Sequence, residues 1–306
     1  MKYNNLKGSL ILGAAALIWG LAFVAQTGAA DLVPPFAVNA LRSFIAAIAL
    51  YFLHLILNRK AKEPFFPKEN KLRKKYFSAA AVCGLFFFVA VNFQQFGISF
   101  YPKGVETEAR SGFITALYVI LVPLFSAFMG KKISPYVLGA VAVAVVGVYM
   151  LCFSKGFIGI YLADLLVFIC AVCFALHIMA IDEFVGITGG IKLSIMQFLV
   201  CGVISGILSL IFEARDITLA NLYSALGQIL YLGLMSSAVA YTLQITGQKY
   251  AEPSVASISM SFESVFAALG GWIIMGNGLS PTQIAGCVIM FASIVLAQIP
   301  EFSKKK

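Results

Sequence analysis

The sequence predicts an all-α membrane protein in which ten transmembrane helices form two inverted repeats of five, with both termini in the cytoplasm. Three observations support this prediction. Hydrophobic residues make up 61% of the 306 residues and charged residues only 11%, whereas soluble domains are roughly half apolar and a quarter charged. Ten long apolar stretches follow one another along the chain. The last five stretches resemble the first five.

Each apolar stretch is long enough for a helix, since a helix that crosses the hydrocarbon core needs about 20 residues. Turns rich in Pro, Gly and charged residues separate the stretches. Their unbroken length favours helices over the alternating strands of a membrane barrel, which are about ten residues long. The predicted spans are residues 8–29, 36–57, 76–100, 105–129, 134–152, 161–181, 192–212, 224–247, 254–275 and 282–299.

Two spans need a separate argument. The first span follows Lys2 and Lys7 as a secretory signal would, but its apolar run is longer than the 7–15 residues typical of a signal, so a retained helix is expected. In the fourth span, Pro123 is expected to interrupt the helix, and Pro253 begins the ninth span. Breaks in equivalent helices are a sequence pointer to a binding site at the midplane of a carrier.

The basic residues set the orientation. With the N-terminus inside, 17 of the 22 Lys and Arg residues fall in or beside cytoplasmic segments, as the positive-inside rule requires. Eight of them lie in the connector 59–75. An even number of spans then returns the C-terminus to the cytoplasm. Because membrane orientation accounts for the net charge of +9, no nucleic-acid partner is expected.

Collinear similarities predict an internal duplication, with repeats at residues 1–155 and 156–306. Offsets of 155, 149 and 146 residues align successive spans of the two halves. The aligned pairs include Trp19 with Phe174, Arg42 with Gln197, Gln95 with Gln244, Tyr101 with Tyr250, and Gly130 with Gly276. Because five is an odd number of crossings, the second repeat must enter the membrane upside down relative to the first. The basic connector 59–75 and its sparsely charged counterpart 213–220 agree with this inversion.

Four stretches of the chain resemble a known family. They are Trp19–Phe23, Gly112–Val119 leading to Pro123, Leu243–Tyr250 and Phe262–Leu269. In these motifs the chain resembles the EamA-type permeases of the drug/metabolite transporter superfamily. The resemblance covers nearly the whole chain, in two copies. The resemblance implies a ten-helix inverted-repeat carrier of small metabolites, often an exporter.

The chain departs from this family at three positions. Members commonly have a Gly-Glu pair at the end of the fourth helix of each repeat, where this chain has Gly130-Lys131 and Gly276-Asn277. They also commonly have Pro after the glutamate of the ninth helix, where this chain has Ser264. These departures leave the fold prediction in place and give less support to gating through Glu263.

Two arginines inside predicted spans are candidate substrate contacts. Arg42 and Arg110 both lie about six residues from the outer ends of their helices, so they could share a basic vestibule. A guanidinium offers a planar fork that suits a carboxylate or a phosphate. Alternatively, Arg110 could be neutralised by Glu106 one helical turn away, and either arginine could serve in a structural ion pair. In the proteins that the chain resembles, the position of Arg110 is often basic.

Polar and aromatic side chains extend the list of substrate-binding candidates. Asn92 and Gln95 on span 3 repeat the spacing of Tyr241 and Gln244 on span 8, which predicts one polar face on each helix. These groups could bind a solute, or they could form hydrogen bonds between helices. The remaining candidates are Tyr118, Gln197 and Trp19, the last of which lies deep in its span rather than at the interface.

Glu263 and His177 are candidate proton carriers, because ionisable groups within spans often form proton relays. The alternative for each is a neutral side chain that forms hydrogen bonds between helices. The six cysteines lie in predicted spans without a set of His or carboxylate neighbours, so no metal site or cofactor is expected. The motifs of hydrolases and ATP-driven pumps are absent from the sequence, and an enzyme is therefore not expected.

The sequence thus predicts a secondary transporter of the bacterial inner membrane. Its expected partners are the lipid bilayer and a small-molecule substrate, and both a monomer and a homodimer are compatible with the pattern. Export of an amino acid or related carboxylate by alternating access is the first hypothesis. Multidrug-type efflux of amphipathic compounds is the second, because Phe is abundant. An intramembrane enzyme or a membrane sensor is the alternative from another class.

Overall fold

The computed structural model describes residues 4–59, 64–103, 105, 107–152, 159–275 and 280–303. Over these residues the secondary structure is helical and contains no β-strand, which confirms the all-α prediction. The predicted boundary between repeats at residue 155, the possible Arg110 partner Glu106, and Gly276-Asn277 lie outside the described residues.

Ten helical segments succeed one another in the described part of the chain. They are α1 (Asn5–Ala30), α2 (Pro35–Asn58), α3 (Asn70–Phe100), α4 (Thr107–Ala116 and Tyr118–Phe128), α5 (Pro135–Cys152), α6 (Leu162–Thr188), α7 (Gly190–Phe212), α8 (Leu226–Gln248), α9 (Pro253–Met260 and Glu263–Met275) and α10 (Pro281–Ser303). A short helix, Leu219–Ser224, precedes α8, and the middle of α8 is a π-helix, Tyr231–Tyr241.

Eight of these segments contain a helix that is long and apolar enough to cross a membrane. The other two, α5 and α9, contain shorter apolar helices, Pro135–Met150 and Pro253–Leu269. They occupy the positions of the fifth and ninth predicted spans. The described residues thus support a multi-pass membrane protein, while ten crossings and cytoplasmic termini stay predictions.

Two helices, α3 and α6, extend at least six residues beyond their predicted spans. α3 begins at Asn70, six residues before the predicted start, because hydropathy marks only the apolar part of a helix whose first turns are basic. α6 continues to Thr188 and ends at Gly189, where φ is +74°. This positive φ favours glycine, which commonly ends a helix.

α4 and α9 each break near the middle. The break in α4 falls at Leu117, and the break in α9 falls at Ser261 and Phe262. The expectation that Pro123 interrupts the fourth span was wrong in position, because Pro123 lies within the second half of α4. Proline removes a backbone donor and perturbs the turn before it. Here the chain makes a tight turn at Leu117, whose N–H donates to the C=O of Ile114.

The helices of the two halves pack in equivalent pairs. α2 packs on its equivalent α7, and α5 packs on its equivalent α10. The contact between α3 and α6 is repeated in the other half by the contact between α8 and α1. The contacts repeat at residue level. A Cβ on Gly84 would lie 2.6 Å from Val200, and a Cβ on Gly233 would lie 2.6 Å from Ile45. Since these glycines differ by 149 positions and their partners by 155, one close helix crossing occurs twice, at the offsets that the sequence alignment uses.

Gly20 allows α1 to approach α9 closely. A Cβ at this position would lie 2.6 Å from Cβ of Phe266 and 2.7 Å from the backbone N of Ala267. We therefore expect Gly20→Ala to destabilise the protein by about 1–3 kcal/mol, the usual cost of overpacking, seen as a lower thermal unfolding midpoint in detergent. Gly13→Ala on the same helix is the matched control, because nothing lies within 4 Å of its Cβ. Equal midpoints for the two variants would contradict this packing.

Candidate functional site

A cavity of about 470 Å³, its opening included, lies among the helices of both halves. Six of the residues predicted from sequence line it: Trp19, Arg42, Tyr118, Tyr241, Gln244 and Glu263. The other lining residues are Ala22, Phe23, Gln26, Gln94, Thr115, Phe174, Ile178, Ser236 and Met260.

The cavity lies between the equivalent helices α1 and α6. Trp19 and Phe174 occupy aligned positions of the two halves, and both line the cavity. The indole Nε1 of Trp19 donates to the C=O of Ser236, 3.1 Å away, and its ring meets Tyr241 edge to face at 4.8 Å. This hydrogen bond explains how Trp19 is accommodated deep in a span. Ser236 and Tyr241 both belong to the π-helix of α8, a helix form that is frequent at functional sites.

Arg42 brings a buried positive charge to the cavity wall. Its side chain is 3% exposed, with Nε donating to the hydroxyl of Ser237 at 2.9 Å and Nη2 donating to that of Ser236 at 3.1 Å. No carboxylate among the described residues forms an ion pair with it. Buried charges are normally paired, and a guanidinium held only by hydroxyls is suited to receive an anion.

Glu263 lies opposite the break in α4. It is the first residue of the second half of α9, and its Oε1 accepts a hydrogen bond of 3.0 Å from the hydroxyl of Tyr118. Tyr118 is likewise the first residue of the second half of α4. The breaks of two equivalent helices therefore meet at the cavity, where the positive end of a helix dipole favours a negative group.

Arg110 does not line the cavity. Its Nε and Nη2 donate to the two carboxylate oxygens of Asp164, each at 2.6 Å, and its Nη2 also donates to the C=O of Gly159. The hydroxyl of Tyr101 donates to the same carboxylate at 2.8 Å, and burial together with this bond raises the pKa of Tyr101. The structure thus separates Arg110 from Arg42 instead of placing both in one vestibule. Contact of Arg110 with a substrate stays a prediction.

Four other candidates do not line the cavity, and they form hydrogen bonds between helices. The Nδ2 of Asn92 donates to the hydroxyl of Ser205 at 3.0 Å. The Nε2 of Gln95 donates to the C=O of Gln26 at 3.2 Å. Gln197 and His177 are joined at 2.9 Å between Oε1 and Nε2. These contacts match the alternative that the sequence left open for the polar stripes, and substrate binding by these residues stays untested.

The main omissions from the predicted site were Gln94, Ser236 and Phe174. Gln94 adjoins the predicted polar stripe, and its Nε2 donates to the hydroxyl of Thr115 at 3.1 Å. The alignment with Trp19 could have pointed to Phe174. No group of three or more His, Cys, Asp or Glu side chains that could hold a metal ion occurs in the residues that the structure describes.

Comparisons with known proteins agree on the kind of protein. The model of the EamA-like transporter family matches residues 6–153 and 161–298. An "Uncharacterized transporter" of Archaeoglobus fulgidus is 26% identical over 97% of this chain and 87% of its own length. "Uncharacterized transporter YoaV" of Bacillus subtilis is 23% identical over 96% of this chain and 97% of its own. A solved crystal structure, at 19% identity, matches 98% of this chain and 99% of that chain with a TM-score of 0.75, which shows a shared fold.

Proposed function

Because this chain belongs to the EamA-like transporter family, we propose that it exports a small organic metabolite, such as an amino acid or a related carboxylate, by alternating access. We place it in the bacterial inner membrane, as a monomer or a homodimer. Its membership of a transporter family and its apolar helices support a multi-pass carrier. The substrate class, the direction and the membrane are our proposals.

Arg42 is the observation that carries the substrate class. It lines the cavity, and among the described residues its hydrogen-bond acceptors are hydroxyl groups, which carry no charge. A solute with a carboxylate would supply the charge that the described residues do not supply. Glu263 and Gln244 line the same cavity, so an amino group on the solute would also find acceptors there. An amino acid carries both groups.

Alternating access is supported by the paired packing of the two halves. Helices at equivalent positions pack on each other, as α2 does on α7 and α5 on α10, and the cavity lies among helices of both halves. A carrier built from two inverted repeats can open to either side by exchanging the conformations of its halves around a fixed site. We therefore assign the repeats to residues 1–155 and 156–306, with both termini in the cytoplasm.

A second candidate function, efflux of amphipathic compounds, is favoured by the aromatic wall of the cavity. Five aromatic side chains line it, and Glu263 lies among them: the five are Trp19, Phe23, Tyr118, Phe174 and Tyr241. Aromatic faces attract organic cations. In this case Glu263 rather than Arg42 would be the charged group that selects the solute.

Proton coupling is assigned to Glu263, with His177 as the second candidate. Glu263 lines the cavity, where a proton and a solute could meet. His177 is fully buried, bonded to Gln197, and in contact with the rings of Phe87 and Tyr241. Its position off the cavity makes it the less direct carrier.

Counterflow in proteoliposomes tests the proposed substrate class. Vesicles loaded with one unlabelled solute should take up the same labelled solute, and we expect this for a carboxylated metabolite out of a panel of amino acids, dicarboxylates and amphipathic cations. Counterflow of cations alone would favour the second function, and counterflow of none above empty vesicles would contradict transport of these classes. Wild-type rates for anionic solutes with Arg110→Ala would remove Arg110 from the binding residues.

A further inference from the structure

The ion pair of Arg110 and Asp164 ties together three helices that line the cavity. Arg110 is on α4, Asp164 is on α6, and Tyr101, whose hydroxyl also bonds Asp164, follows α3 directly. The same helices carry the cavity residues Thr115 and Phe174 deeper in the bundle. Arg110 precedes Thr115 by five residues, or about 7.5 Å along a helix. The ion pair therefore lies at one end of the three helices, beyond the cavity.

The side chains of this cluster are tightly bonded and mostly buried. Arg110 and Asp164 form two parallel hydrogen bonds of 2.6 Å, the bidentate geometry that holds a pair most firmly. The backbone N–H of Tyr161 donates to Asp164 at 2.7 Å, and the guanidinium of Arg110 lies 4.8 Å from the ring of Tyr161. The side chains of Arg110 and Asp164 are only 7% and 12% exposed. Water is thus largely excluded from the ion pair itself.

Among the residues that the structure describes, the equivalent end of the other half has no such pair. The sequence offsets place Ala256 at the position of Arg110, and Ser9 at the position of Asp164. There, α9 and α1 are joined by a hydrogen bond of 2.7 Å between the hydroxyls of Ser259 and Ser9. Neutral hydrogen bonds at Ser9 and a contact of 4.0 Å between Lys7 Nζ and the ring of Tyr250 therefore hold one end, whereas an ion pair holds the other. The contacts that must break to open the two ends differ in kind.

Building on the proposed transport function, we propose that Arg110, Asp164 and Tyr101 form a gate that closes one end of the pathway and sets the resting state of the carrier. The gate must separate each time the cavity opens to that side, and it forms again when the cavity opens to the other. In a two-state carrier, removing a contact made only in the closed state shifts the population towards the open state. Arg110 then acts by positioning α4 against α6.

Cys170 provides a natural reporter of the gate. It lies on α6 between Asp164 and the cavity residue Phe174, and its thiol is fully buried. Cys83 on α3 is equally buried, and it precedes the cavity residue Gln94, towards the other end of α3. Opening of the gate should expose Cys170 alone, whereas general loosening of the fold should expose both thiols.

The experiment labels the protein in membrane vesicles, from each side in turn, with a membrane-impermeant thiol reagent, and identifies modified cysteines by peptide mass spectrometry. Arg110→Gln and Asp164→Asn should each raise the labelling rate of Cys170 from one side by roughly tenfold. This corresponds to a shift of about 1.4 kcal/mol in the free energy between the closed and open states of the gate. Tyr101→Phe should raise it less, and the exchange of charges in Arg110→Asp with Asp164→Arg should partly reverse the increase. Labelling of Cys83 should not change.

The second ion pair of the described residues supplies the matched control. Lys131 and Asp182 are 3.1 Å apart, and the side chain of Lys131 is 45% exposed, so Lys131→Gln should leave Cys170 labelling unchanged. Unchanged labelling of Cys170 in both Arg110→Gln and Asp164→Asn, or a parallel rise in the labelling of Cys83, would overturn the proposed gate. An effect of Arg110→Gln without one of Asp164→Asn would also overturn it, because either substitution removes the ion pair. Labelling needs no solute. Absence of counterflow for every solute would therefore count against the proposed transport, and it is distinguishable from these labelling outcomes.

Discussion

Arg42→Gln is expected to lower kcat/KM for a carboxylated solute by roughly 10- to 100-fold, which is the range that corresponds to losing hydrogen bonds from a charged donor. Glutamine is the residue that the other half carries at the aligned position, Gln197. It can still bond Ser236 or Ser237, but it carries no charge for the solute. Initial rates of counterflow over a range of solute concentrations measure the effect.

The charge and the shape of Arg42 can be tested separately. Arg42→Lys keeps the charge but replaces the planar fork with a single ammonium group, so we expect an intermediate loss. Ser237→Ala is the control for the local hydrogen bond, because it removes the partner of Nε and leaves the charge. An unchanged rate for carboxylates in Arg42→Gln would contradict the substrate assignment. Loss of transport for an amphipathic cation as well would point to a structural role.

The sequence predicted the parts of the site that depend on residue type and spacing. Arg42 and Glu263 were selected because charged side chains are rare within a span and often functional, and Trp19 because it lies deep in its span and away from the interface. All three line the cavity. The spacing of polar residues on α3 was less informative. It selected Asn92 and Gln95, whereas the cavity contains Gln94, because periodicity defines a helix face and does not identify what that face contacts.

Contacts between distant parts of the chain were the least predictable. Local spacing suggested Glu106, which lies outside the described residues, as a partner of Arg110, and it gave no sign of Asp164, which forms an ion pair with Arg110 across 54 positions. The break in α4 at Leu117 instead of Pro123 has a similar origin, because tertiary packing selects where a weakened helix bends. The repeat offsets were more reliable, since they also relate Gly84 to Gly233 in the packing of the helices.

Glu263→Gln is expected to abolish the effect of a proton gradient while leaving exchange of the solute measurable. The amide keeps the size of the carboxyl group, and its oxygen can accept the hydrogen bond that Tyr118 donates to Glu263 at 3.0 Å. It cannot take up and release a proton. The ratio of the transport rate with an imposed proton gradient to the rate without one should therefore fall to about one, as expected when a relay group within the membrane is removed.

Tyr118→Phe separates this role from the hydrogen bond, since it removes the donor and keeps the carboxyl group. That variant should retain a response to the gradient, and His177→Gln should do so too, because His177 lies off the cavity. A gradient response that persists in Glu263→Gln and disappears in His177→Gln would assign proton coupling to the pair of His177 and Gln197 instead. In that case proton and solute would use different places in the bundle, and Tyr241 and Phe174, which line the cavity and contact the ring of His177, would connect them.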